Sequence, residues 1–175
     1  MQERCRAVEA QHEMTLPRKT DEPASIRLHL PDEAATLALG ARLAAVLTPG
    51  LVVYLSGELG TGKTTLVRGC LRALGYRGRV KSPTFALVEL YEVSRLYLHH
   101  FDFYRFKDPR EWLDAGFREL FGGDNVCLVE WPERAGERLP VADLWIRLEH
   151  AGGGREARIT APTEVGIECL NRLSA

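Results

Sequence analysis

The chain has 175 residues, of which 45% are hydrophobic and 27% charged, and its formal net charge is −1. These values suit one compact domain with a short tail, large enough to bury a core without disulfide support. The near-zero charge carries no electrostatic signature of a general nucleic-acid binder, and no apolar run is long enough to span a membrane.

The first residues, through Pro23, lack the apolar stretch of a signal peptide. Residues 1–24 read as a disordered extension, with Met14 a second candidate start, and residues 25–175 as a single domain. Ser25 to Leu30 (SIRLHL) alternates as a short strand. Pro31, Asp32 and Glu33 open a helix with acids in its first turn, where the helix dipole favours them. Apolar residues at helical spacing carry it to about Leu47, and Thr48-Pro49-Gly50 ends it. Leu51 to Leu55 (LVVYL) is continuously apolar, as a strand buried on both faces of a parallel sheet requires.

Directly after this strand, Gly57-Glu58-Leu59-Gly60-Thr61-Gly62-Lys63-Thr64 matches G-x-x-x-x-G-K-[ST] in full. Random chains of this length carry that pattern roughly once in a hundred or more. A helix from about Lys63 to Leu74, ended by Gly75, follows it, which is the arrangement the chemistry needs. The glycines bring the backbone close to phosphate oxygens, and successive N–H groups form an anion nest at a helix N-terminus. Lys63 is then placed to reach the β- and γ-phosphates, the Thr64 hydroxyl to ligate magnesium, and Thr65 to bond the α-phosphate.

Past the loop the reading is mixed. From Gly57 to Lys81 there are six basic residues (Lys63, Arg68, Arg72, Arg77, Arg79, Lys81) against Glu58 alone. That run is either a solvated helix face plus one phosphate-binding lysine, or a basic edge for RNA or an acidic partner. Lys81-Ser82-Pro83-Thr84 is either a plain turn or a loop in which Thr84 senses the γ-phosphate or metal. Thr84–Glu92 and Leu96–Phe103 read as a hairpin, and Asp108-Pro109 opens a helical stretch to about Leu113. A second short helix covers about Phe117 to Phe121. Val126 to Val129 is another apolar strand. Asp143–Glu149 and Glu156–Thr160 pair around Gly152-Gly153-Gly154, and Thr163 to Leu173 is a closing helix. The order implies an α/β fold of the P-loop type, with a mainly parallel central sheet and an antiparallel hairpin portion.

Two acids complete the site on paper. Glu130, at the C-terminal tip of the Val126–Val129 strand, holds the place of a metal-supporting acid. Asp102 is read as a hydrolytic residue or, alternatively, as a solvent-facing strand acid paired with Arg105. Trp131 is a candidate for stacking on a base or a partner, or for the core, and His99 and His100 read as structural. Cys5, Cys70, Cys127 and Cys169 lack metal or redox spacing; Cys70 and Cys127 fall in apolar runs and read as buried. A reduced, cytoplasmic setting fits them.

Taken in order, PDEAATLALG, GELGTGKTT, KSPTFALVELY, HFDFYR and LVEWPE resemble one family, TsaE (also called YjeE), from about Leu30 to the C-terminus. The resemblance implies a slow ATPase that binds ATP and Mg2+ and acts with TsaB and TsaD. Those proteins transfer a threonylcarbamoyl group to adenosine 37 of tRNAs reading ANN codons, and hydrolysis is thought to reset their complex. It implies that Thr64 and Glu130 hold magnesium, that Asp102 supports hydrolysis, that Ser82 to Thr84 form a switch, and that Glu33 and Glu133 lie near the nucleotide. Contact with tRNA would be indirect, through the complex. Phe85 stands where Tyr is common in the family, and Phe103 where Leu is common. The residues alone leave two other readings: a small-molecule kinase, with Arg134 and Arg138 offered as a lid, and a nucleotide-gated binding module without turnover.

Overall fold

A computed structural model of the chain describes residues 23–174. The extension expected over residues 1–24 lies outside these except for its last two residues, and Ala24 already opens the first strand, β1 (Ala24–Leu30). Its inward positions Ile26, Leu28 and Leu30 follow the alternation read from the sequence. Asp32 caps α1 (Glu33–Ala44), accepting the Ala35 N–H at 2.8 Å. The helix stops at Ala44 rather than Leu47, because Ala45 and Val46 close a tighter turn onto Arg42 and Leu43. After α1 come β2 (Val52–Ser56) and α2 (Lys63–Ala73).

The hairpin is shorter than its sequence suggests. It comprises β3 (Val88–Val93) and β4 (Leu96–Asp102). Thr84 to Leu87 form a turn instead, closed by the Leu87 N–H on Pro83 O with Leu87 at φ 67°. A one-turn helix, α3 (Glu111–Asp114), and a 3-10 turn (Phe117–Leu120) precede β5 (Asn125–Glu130). The chain closes with β6 (Leu144–Ala151), β7 (Gly154–Ala161) and α4 (Glu164–Ser174).

The strands form one seven-stranded sheet in the order β1-β7-β6-β2-β5-β4-β3. The central strands β6, β2, β5 and β4 are mutually parallel; β1–β7, β6–β7 and β3–β4 are antiparallel. Val53 and Leu55 of β2 pack with α1, α2 and α4, while Val52 and Tyr54 pack with Phe101, Phe103 and Trp112. The central strand is thus covered on both faces, which explains its unbroken apolar run. Cys70 and Cys127 are fully buried, and burial pushes both thiols up to about 12, so they stay neutral packing groups. Among the described residues no helix is long and apolar enough to cross a membrane.

Candidate nucleotide and metal site

The site forms where parallel strands β2, β5 and β4 end side by side. Behind β2 the chain must turn at once into α2, and glycine makes the turn possible. Gly57 has φ 132° and Gly62 φ 105°, left-handed values that a side chain would strain. A Cβ on Gly57 would also fall on the Leu148 carbonyl oxygen and 3.0 Å from Thr61 Oγ1. Thr61 is buried and spends its hydroxyl on Glu58 O at 2.9 Å, so its role is to tie the loop together.

Lys63 opens α2 and turns its ammonium back onto the loop, donating to Gly57 O at 2.7 Å and Glu58 O at 2.8 Å. The same Nζ lies 4.2 Å from the centre of the Trp131 ring. Burial lowers the Lys63 pKa, opposed in turn by the charges of Glu130, Glu133 and Asp102. The ammonium is therefore held at a cost by dipoles and distant acids.

Thr64 Oγ1 donates to Glu130 Oε1 at 2.8 Å. The same oxygen accepts His100 Nε2 at 2.8 Å, so the imidazole holds the carboxylate in place. His100 Nδ1 is buried without a partner. Strand pairing sets Asp102 directly beside Glu130. Asp102 is 2% exposed, which rules out the reading of a solvent-facing acid paired with Arg105; the Arg105 guanidinium lies over Phe85 instead. Its Oδ2 accepts the Ser82 hydroxyl and Thr84 Oγ1, the latter at 2.8 Å, and its Oδ1 accepts the Tyr104 N–H at 2.9 Å. The turn over Ser82 to Thr84 is thereby pinned to β4.

A cavity of about 250 Å³ gathers Glu33, Leu59, Gly60, Gly62, Lys63, Thr64, Thr65, Ser82, Thr84, Asp102 and Glu130. Gly57, Glu58 and Glu133 lie beside the adjoining cleft, which Leu59 and Trp131 share with the first. Glu33 is the more peripheral of the expected residues and pairs with Arg68 at 3.3 Å. Three contributors were not expected from sequence: Tyr104, His100 and Arg155. Arg155 lines the cavity from the start of β7, and its Nε is buried without a hydrogen-bond partner. A Cβ on Gly62 would meet that Nε at 3.3 Å. A signal for His100 did exist: it stands two residues before Asp102, so a strand shows both on one face. None existed for Arg155, which sheet pairing alone brings to the loop.

The family model for Threonylcarbamoyl adenosine biosynthesis protein TsaE matches residues 30–159. The chain belongs to the TsaE family. The tRNA threonylcarbamoyladenosine biosynthesis protein TsaE of Haemophilus influenzae is 38% identical over 155 residues, 86% of this chain and 98% of that protein. The TsaE of Bacillus subtilis is 42% identical over 127 residues, 72% of this chain and 79% of that protein. Among solved structures, Bacillus subtilis YdiB superimposes with a TM-score of 0.77 at 32% identity, covering 89% of this chain and 97% of that one. The TsaE match spans every element of the site, from the end of β1 to β7.

Proposed function

We propose that this protein binds ATP with Mg2+ at the Gly57–Thr64 loop, hydrolyses it slowly, and serves threonylcarbamoylation of adenosine 37 in tRNAs reading ANN codons, in the cytoplasm, with TsaB and TsaD. The observation that carries the nucleotide reading is the meeting of Thr64 Oγ1 and Glu130 Oε1 at 2.8 Å, beside a loop onto which Lys63 turns its ammonium. The pathway rests on the TsaE family and on relatives that bear that name.

The donor set fits the ion. Among the described residues no three His, Cys, Asp or Glu side chains gather into an all-protein cage. One hydroxyl and one carboxylate are what Mg2+ takes from a protein when phosphates and waters fill its remaining positions. Thr64 and Glu130 would hold it, and when bound it would neutralise charge on the phosphate oxygens. The loop amides and Lys63 bind and orient the phosphates. Trp131 and Leu59 line the same cavity.

Asp102 is a positioning group before it is anything else. With both oxygens engaged, it holds Ser82 and Thr84 at the cavity edge, where Thr84 can meet a terminal phosphate or an attacking water. Asp102→Asn is expected to keep Mg-ATP affinity within a few-fold while turnover falls about 10²-fold or more. Calorimetry and a phosphate-release assay read the two quantities. The tRNA modification, followed by nucleoside mass spectrometry in a mixture with TsaB and TsaD, is expected to fail with turnover. Full modification by a variant that binds but does not hydrolyse ATP would make the protein a nucleotide-gated binder instead.

A further inference from the structure

The turn that Asp102 holds has an outer side that the nucleotide site does not use. Phe85, one residue past Thr84, is 83% exposed, and the Arg105 guanidinium lies 4.0 Å from its ring centre. Phe85 also lines a cleft of about 390 Å³ together with Arg79, Lys81, Glu89 and Tyr91. No salt bridge among the described residues involves Arg79 or Lys81, although both are exposed. No acid occurs between Leu59 and Val88, and Glu89 is the one carboxylate that lines the cleft with them.

We propose that this cleft binds an unpaired nucleotide of RNA. A free aromatic face already carrying a guanidinium is a stacking platform for a base. Arg79, Lys81 and Arg105 supply cations for the flanking phosphates. Glu89 separates the two polyanions by hydrogen bonding: its carboxylate accepts the amino or N–H edge of a base, and the ionised side chains of an acidic peptide offer it no such donor. The choice of RNA over DNA rests on the function proposed above. Because Ser82 and Thr84 of the same turn bond Asp102, the cleft and the nucleotide site share one short segment of backbone.

The test is fluorescence anisotropy with the full chain and three probes: a labelled RNA stem-loop, the same RNA fully paired, and a poly-glutamate peptide. The stem-loop is expected to bind at least about tenfold more tightly than either of the others. Phe85→Ala should weaken it about tenfold, and the double variant Arg79→Ala/Lys81→Ala should reduce the slope of log affinity against log salt by roughly 1 to 2. All variants should melt like the parent and keep their Mg-ATP affinity. Undetectable stem-loop binding, equal binding of the duplex, tighter binding of the peptide, or indifference to Phe85→Ala would each overturn the proposal. Mg-ATP titration of the parent protein reads the nucleotide site separately, so either reading can fail while the other stands.

Discussion

Lys63 is a charged group buried against backbone carbonyls, and the charges of Glu130, Glu133 and Asp102 oppose the effect of that burial. To hold a phosphate it must be protonated, and in the free protein burial lowers its pKa. As pH rises through that lowered value the charge is lost, so Mg-ATP affinity should stay level below it and fall above it. The free protein behaves oppositely. In the same alkaline window the unfolded chain binds the extra proton, so folding stability should rise with pH. Calorimetric titration and chemical denaturation across that range check the two signs, and an affinity that rises with pH would place Lys63 outside the site. Arg155 makes the second residue-scale prediction. With its Nε buried and unpaired at the loop, it is poised for a phosphate or the base. Arg155→Ala should weaken nucleotide binding by about 1.5 to 3 kcal/mol, read by calorimetry, with little loss of melting temperature. Unchanged affinity would make it a packing residue.

At the scale of elements, the site depends on how closely α1 and α2 cross. A Cβ on Gly40 would fall on the Leu66 carbonyl oxygen and 2.8 Å from Cys70 N; one on Gly69 would fall on Leu37 O and 2.8 Å from Leu37 Cα. Two glycines thus let the helix backbones touch, and α2 carries Lys63 and Thr64 at its N-terminus. Gly40→Ala must push the helices apart, at a cost of about 1 to 3 kcal/mol, or a fall of roughly 2 to 10 °C in melting temperature. Circular dichroism checks this; a melting temperature equal to the parent's would mean the helices can slide. The register of β4 on β5 is the other element-scale device. It sets Asp102 opposite Glu130, and a slip of β4 by one residue would turn Asp102 and His100 to the other face of the sheet while Glu130 stayed in place on β5.

For the whole molecule, the cavity joins parts far apart in the chain: β1's exit at Glu33, the loop, the turn at Ser82, and the tips of β4, β5 and β7. A ligand that bridges them binds only the folded state. At a concentration one hundred times its dissociation constant, Mg-ATP should stabilise the protein by about 2.7 kcal/mol, seen as a rise of several degrees in scanning calorimetry. Lys63→Ala should abolish the rise at the same concentration, and a rise that persists would move the nucleotide elsewhere.

Much of this was legible in the residues themselves. Local chemistry determined the loop, because a run of glycines before Lys63 and Thr64 has few other uses, and the apolar strands before it and before Glu130 announced a parallel sheet. The caps and breakers set most element ends, though Thr84 to Leu87 form a turn where β-favouring residues suggested strand. What no local pattern could decide was which distant side chains meet. The burial of Asp102, its hold on Ser82 and Thr84, the clasp of His100 on Glu130 and the arrival of Arg155 at Gly62 all follow from strand order and register. Those are settled by the packing of the whole sheet against its helices, an energy spread over the core rather than written in any one segment.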